Sequence, residues 1–484
     1  MVSYRDVLSS KMISKNLPNQ LVKIMGIGWF FFFLITLLEY PPKWALMDDV
    51  GLVQLAKTNF NGLGFFAYIK EFVKGDFGWG MFRPLYGVYS YVFYGLLWKS
   101  SFYAYLILFC LNTAIFFLWS FIFRKSIGFI DPIIDKQKLN FYSWLFFVSC
   151  FLFTPHINLF FFSSLQERLL LLFGGVAALG LIVIYDSKQN IRLGWLSLFA
   201  GIIAALLSKA SAIFLIPPCV IWMFLVALQR KSFSLLSAAI SVGLIGICFG
   251  YFFLLIRSGY TEGYQLRPIS ELLAQKRFCF LITIVLTELI ILLLAWFKCE
   301  KTFDWSRLSW VILWPFAALC FLIVLLPWGR AAGYYFIPMG PFLIGSTLLI
   351  VYYLDFFFPN MRGNWVVLSA VILLGAYSGK RINFEARQNY GAGLVIDVIR
   401  KEIISKESSV LIYMPQPCLE ASVHLSTLLD KPKLITLFTD AGNSLVSDGS
   451  LFVVNRDCPE IPPQFRIKRE VLHYHPWGIY EVGK

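Results

Sequence analysis

The chain has 484 residues, of which 58% are hydrophobic, 18% aromatic and only 14% charged, where a water-soluble protein carries about a quarter charged. That balance excludes an ordinary soluble enzyme and implies a polytopic membrane protein. The formal net charge is +14, but the basic residues are scattered among apolar segments without a continuous patch, which argues against a nucleic-acid partner.

The first 23 residues are polar and basic, and the apolar segment after them lacks a small-residue cleavage site, so it reads as a retained transmembrane helix. A span needs about 20 apolar residues. By that measure eleven are expected, near 22–40, 102–123, 141–157, 166–186, 193–208, 211–229, 233–256, 278–298, 308–327, 333–354 and 364–379. The stretch 84–98, "PLYGVYSYVFYGLLW", is short and rich in Tyr and reads as an interfacial or re-entrant helix. With the N-terminus cytoplasmic, the arm and the inner connectors hold 16 Lys/Arg, while the opposite loops beyond the first hold 7. Counting 84–98 as a full span would invert every later loop, so the positive-inside bias favours eleven.

Two segments then project outward. The first loop, residues 41–101, contains "DDVGLVQLAKTNFNGLGFFAYIKEFV", whose roughly helical period suits a helix lying on the membrane. The tail, residues 380–484, is nearly neutral, with 13 Lys/Arg against 12 Asp/Glu. Its short runs "SSVLIYMP", "KLITLF" and "SLFVVN" alternate with helix-like "GAGLVIDVIRKEII" and "LEASVHLSTLLD". The expected fold is an all-α polytopic membrane domain, residues 1–379, followed by a small extracytoplasmic α/β domain. Cys418 and Cys458 in the tail could pair if it lies outside the cytoplasm, and no Cys/His cluster has the spacing of a zinc site.

Candidate chemistry follows the outer face. Asp48 and Asp49 can act as general base, bind a divalent cation, or cap a helix. Arg83 precedes Pro84 at the start of a helix, at the level where a cation can simply snorkel. In "FTPHINLFFFSSLQERLLLLFGG", His156 follows a Pro, and Glu167 and Arg168 stand where the next span begins. A mutual Glu–Arg or Glu–His pair is the structural alternative there, as is a satisfied buried histidine. Lys209 lies in a short outward turn, and Arg330 in another beside Tyr334 and Tyr335. Four cations on the outer face oppose the charge bias, and an anionic ligand held there by Arg and Lys would explain the exception.

The order "MDD … FRPLY … TPHINLFFFSSLQERLLLLFG … LLSKASAIFLIP … GRAAGYYFIP" resembles the integral-membrane glycosyltransferases of the GT-C fold, over residues 20–380. The resemblance implies transfer of a sugar from a polyprenyl-phosphate donor to an acceptor on the outer side, by inverting displacement. Carried onto this sequence, it makes Asp49, or its neighbour Asp48, the carboxylate at the acceptor hydroxyl. Arg83 and Arg330 become the cations at the donor phosphate, and Arg168 and Lys209 further candidates. Glu167 is the remaining acid for a divalent cation but lies one residue from the usual place, so a metal site is left open. The overall build is similar to the O-antigen glucosyltransferases, which work in the bacterial inner membrane beside a flippase and a donor synthase. That likeness implies glucose from undecaprenyl phosphate and a lipopolysaccharide acceptor, with the tail periplasmic.

Other classes remain to be weighed. A secondary transporter is expected to show paired halves and charges near the bilayer midplane, whereas here the charges sit at span ends. A lipid-linked oligosaccharide flippase or polymerase also needs outward cations, but the acidic pair in a helical first loop speaks against it.

Overall fold

The computed structural model describes residues 4–42, 64–78, 82–97, 100–161, 165–186, 191–229, most of 239–250, 276–299, 304–324, 336–357 and 363–406, and five strands between 410 and 483. The described chain is mostly helical. Its helices are α1 (Tyr4–Glu39), α2 (Phe65–Gly78), α3 (Pro84–Leu97), α4 (Ser101–Ile130), α5 (Lys136–Leu152) and α6 (Thr154–Phe161). Then come α7 (Glu167–Tyr185), α8 (Ile191–Leu206), a 3-10 turn (Ala210–Leu215) and α9 (Ile216–Gln229). The last are α10 (Lys276–Cys299), α11 (Trp305–Val324), α12 (Gly340–Phe357) and α13 (Gly363–Lys406).

Among the described residues, six helices are long and apolar enough to cross a membrane, and a seventh span is present if α5 and α6, bent by 65° at Phe153, are taken as one. With the composition, this makes the chain a multi-pass membrane protein. The helices Ile191–Leu206 and Gly340–Leu354 are apolar but shorter. The expected interfacial segment is α3, a 14-residue helix packed against α2.

Local chemistry sets several starts. The Asp135 carboxylate accepts from the N–H groups of Gln137 and Lys138, capping α5. Asp304 does the same for Ser306 and Arg307 at α11. Pro155 in the first turn of α6 suits a new helix start, which is where the chain bends. The interior is aromatic: Trp119 of α4, Phe146 of α5, Trp314 of α11 and Phe342 of α12 lie in one buried cluster.

Three expectations change. Residues 363–406 form one 44-residue helix, so the suggested boundary at 379/380 falls inside α13. No Pro interrupts that stretch, and the polar residues after Lys380 continue the helix because they meet protein on one side. In the tail, the three foreseen runs are strands β1 (Val410–Ile412), β2 (Ile435–Leu437) and β3 (Ser450–Asn455). Two more strands, β4 (Arg466–Tyr474) and β5 (Trp477–Gly483), complete a mixed sheet of order β2-β1-β3-β5-β4. β4 has no strand signature in the sequence because it is an edge strand and carries Arg466, Lys468 and Arg469 at exposed positions, without apolar alternation. Finally, Glu288 lies halfway along α10, largely buried, and accepts from Thr347 of α12 at 2.8 Å, so the charges are not confined to span ends.

α7 and α8 pack closely, with their backbones meeting across glycines. A Cβ at Gly180 would lie 2.5 Å from the Leu198 nitrogen, and one at Gly201 2.7 Å from the Phe173 carbonyl oxygen. Small residues let apolar helices approach in this way. Gly201→Val is therefore expected to force the pair apart, at a cost of about 1–3 kcal/mol. A melting curve in detergent should show a clear loss for Gly201→Val and little change for Gly128→Val, where a Cβ meets nothing within 4 Å.

Candidate functional site

The helix ends that carry the predicted residues are tied together at one end of the bundle. Tyr105 near the start of α4 donates to the Phe161 carbonyl at 3.1 Å, and Asn389 of α13 donates to both the Tyr105 hydroxyl and the Phe161 carbonyl at 3.2 Å. Arg387 donates to the hydroxyl of Tyr40, just past the end of α1, at 3.1 Å. The Ser378 hydroxyl donates to the Leu152 carbonyl at 2.6 Å. Tyr474 of β4 packs on Tyr390, which attaches the sheet to the same end. On Glu385 nearby, burial pushes the carboxyl above its usual range while its ion pair with Arg381 pulls it back.

Two of the four predicted cations have carboxylate partners there. Arg83 forms a two-point bond with Asp76, the last acidic residue of α2: Nε to Oδ2 at 3.0 Å and Nη2 to Oδ1 at 2.6 Å. The pair is largely inside the protein, with side-chain exposures of 13% and 7%. The guanidinium also lies over the Tyr86 ring, 5.4 Å from its centre. Lys209 forms an ion pair with Glu167, whose side chain is 2% exposed. The two pairs are neighbours, because the Leu85 N–H donates to the Leu207 carbonyl at 3.0 Å, joining the start of α3 to the turn that carries Lys209.

Arg168 is different. It is fully buried, and its guanidinium donates to Asn112 Oδ1 (3.0 Å), the Tyr89 hydroxyl (3.0 Å) and the Leu159 carbonyl (2.6 Å). Asn112 donates to the same Leu159 carbonyl at 2.8 Å. Arg168 therefore links α3, α4, α6 and α7, an arrangement that braces the site end from within. His156 is also fully buried: Nδ1 is 2.9 Å from the Cys150 carbonyl and Nε2 2.9 Å from the Ile337 carbonyl. A Cβ at Gly340 would overlap its ring, so the imidazole wedges α6 against the start of α12. Sequence reasoning named Glu167, Lys209 and Arg83 but missed their arrangement, and it missed Asp76, Tyr89, Asn112 and Asn389 altogether. Asp76 had one signal, an acid just before the loop that leads to Arg83; the others had none.

Asp48, Asp49, Arg330, Tyr334 and Tyr335 lie outside the described residues, as do Cys418 and Cys458. What is described are the flanks: Tyr40 leads into the first segment, and Ile337, held by His156, follows the second. Both flanks are at the site end. Among the described residues, no group of three or more His, Cys, Asp or Glu side chains could hold a metal ion.

No protein-family model matches the chain, and no curated protein matches it. Among solved structures, the chain is similar to ArnT from Cupriavidus metallidurans in the apo state, with 12% sequence identity and a TM-score of 0.44 over 95% of this chain and 97% of that one.

The Arg168 network makes a direct prediction about stability. Arg168→Ala leaves Asn112, Tyr89 and the Leu159 carbonyl short of a donor and should cost about 2–4 kcal/mol. Arg168→Lys should recover little, because an ammonium cannot reproduce the planar fork. Thermal unfolding of the three purified proteins in detergent checks both, and a lysine variant as stable as the parent would contradict the network's importance.

Proposed function

We propose that this protein is an integral-membrane glycosyltransferase of the GT-C type. In this reading it moves a sugar from a polyprenyl-phosphate donor to an acceptor glycan at the outer side of the membrane, with eleven spans and a periplasmic tail. What carries the reading is the pairing of cations at the site end. Arg83 and Lys209 stand on segments joined by the Leu85–Leu207 hydrogen bond, beside the flanks of the segments that hold Asp49 and Arg330. A sugar leaving its phosphate needs positive charge at the departing oxygens, which the cations would supply, and the acceptor hydroxyl needs a base, the role we give to the carboxylate of Asp49.

The roles divide by geometry. Arg83, with Arg330 and Lys209, would bind the donor phosphate. Asp49 would act as base and Asp48 assist. Arg168, with its donors turned into the protein, would position α3 and α7 instead of touching phosphate. His156 would hold the segment after Arg330 in place. Tyr335 remains a candidate for the donor side, and a divalent cation at Glu167 or the Asp48–Asp49 pair stays open. Glucose from undecaprenyl phosphate, and lipopolysaccharide O-antigen as acceptor, are the specific substrates we assign.

The test is a transfer assay on the purified chain with undecaprenyl-phosphate glucose and O-antigen lipopolysaccharide, read by mass spectrometry as one added hexose. Asp49→Asn should fold normally and lose essentially all transfer; an active Asp49→Asn protein would remove Asp49 from the role. Glu288 is the observation that favours a transporter, since a mid-helix carboxylate is the usual mark of a coupling-ion site. Under the glycosyltransferase reading, Glu288→Gln keeps its bond to Thr347 and transfers sugar at the parental rate.

A further inference from the structure

We infer that the outward side of α2 is an anchoring surface for anionic phospholipid: Phe66, Val73 and Phe77 enter the bilayer boundary, while Lys70 and Lys74 meet headgroup phosphates of the leaflet at the site end. The surface is separate from the proposed chemistry and does not depend on it.

α2 seats one side on α3. Tyr68 and Asp76 are buried, Phe65 packs on Tyr91 with ring centres 5.0 Å apart, and Phe72 packs on Tyr86 at 5.9 Å. These positions follow one another at three- and four-residue steps, the spacing of a single helix face. The residues between them turn away from the protein. Phe66 is 85% exposed, the Lys74 side chain is 76% exposed, and Lys70 and Phe77 are exposed as well.

Their order around the helix, at about 100° per residue, says what covers them. Beyond the seated face come Ile69, Val73, Phe66 and Phe77, then Lys70 and Lys74, then Glu71 and Gly75. An apolar edge, a cationic edge and an acidic edge in that order match the passage from acyl chains through phosphates to water. Phe77 also meets Phe82 at 5.4 Å, so the apolar edge runs on to the residue before Arg83. Lysines at such a boundary keep their methylene stems among lipid and their ammonium groups at the phosphates. Glu71 stands 4.0 Å from Lys74, but both side chains are largely exposed, and such a pair contributes little. Water alone would leave the rings uncovered, and an apolar protein surface would have to bury two lysines. An anionic bilayer surface accepts both the rings and the charge.

The experiment places the full-length chain in nanodiscs of phosphatidylcholine alone, or of phosphatidylcholine with phosphatidylglycerol, and follows amide hydrogen exchange along α2 by mass spectrometry. The proteins are the parent, Phe66→Ser, the double variant Lys70→Gln with Lys74→Gln, and the double variant Lys70→Arg with Lys74→Arg, each checked for its melting temperature. We expect α2 of the parent to exchange about tenfold more slowly in the anionic discs, the scale of two lysines near a charged surface. Salt at about 0.5 M should erase that difference by screening. The glutamine pair should erase it too, the arginine pair should keep it, and Phe66→Ser should exchange faster in both kinds of disc. Equal exchange by the parent in both discs, a difference that survives the glutamine pair, or no effect of Phe66→Ser would overturn the anchoring surface. Protection in a lipid-free detergent micelle equal to that in the anionic discs would show that the chain itself covers this side, and would overturn it as well. Should the glutamine pair fail to fold, the salt series on the parent decides, because a difference indifferent to salt is not electrostatic.

Discussion

A guanidinium inside an apolar bundle must find its hydrogen-bond partners within the protein, because neither lipid nor apolar side chains can supply them. Arg168 meets that constraint with Asn112, Tyr89 and the Leu159 carbonyl, and in doing so it decides how four helices meet. α3 is too short to span a membrane, and the Arg168 tie adds to its ring packing on Tyr68 and Phe72 of α2. Through Tyr89 it is held to α7, and through the Leu85 N–H to the turn before the 3-10 helix. The position of Arg83 follows from those two attachments.

The two ion pairs then acquire their meaning from burial. Exposed pairs of this kind contribute little, but Asp76–Arg83 and Glu167–Lys209 are largely shielded from solvent, where an uncompensated charge would be costly. Each acid therefore holds its cation in place. The same end of the bundle is closed on its far side by α13, whose polar half rests on Tyr40, Tyr105 and Phe161. The tail sheet joins it through Tyr474.

Much of this was legible in the residues. The apolar runs announced the helices, since their length and composition are local properties, and three β-branched runs announced β1, β2 and β3. The unusual cations could also be seen, because on the expected topology Arg83, Arg168, Lys209 and Arg330 fall on the side that the positive-inside bias disfavours. Glu288 was in plain view within "LTELII" but was passed over, as a single carboxylate barely alters the hydropathy of a long window. β4 was hidden by its charges, which an edge strand tolerates.

The sequence by itself determined that this is a membrane protein, where most of its apolar helices run, and which charged residues need explaining. It could not separate the cations by role, because Arg168 and Arg83 look alike in a string of letters. Only the tertiary structure decided that Arg168 is buried against Asn112, Tyr89 and the Leu159 carbonyl, while Arg83 and Lys209 each meet a carboxylate. The reason is physical: a charged group's function depends on what compensates it, and those partners come from segments up to 79 residues away in the chain.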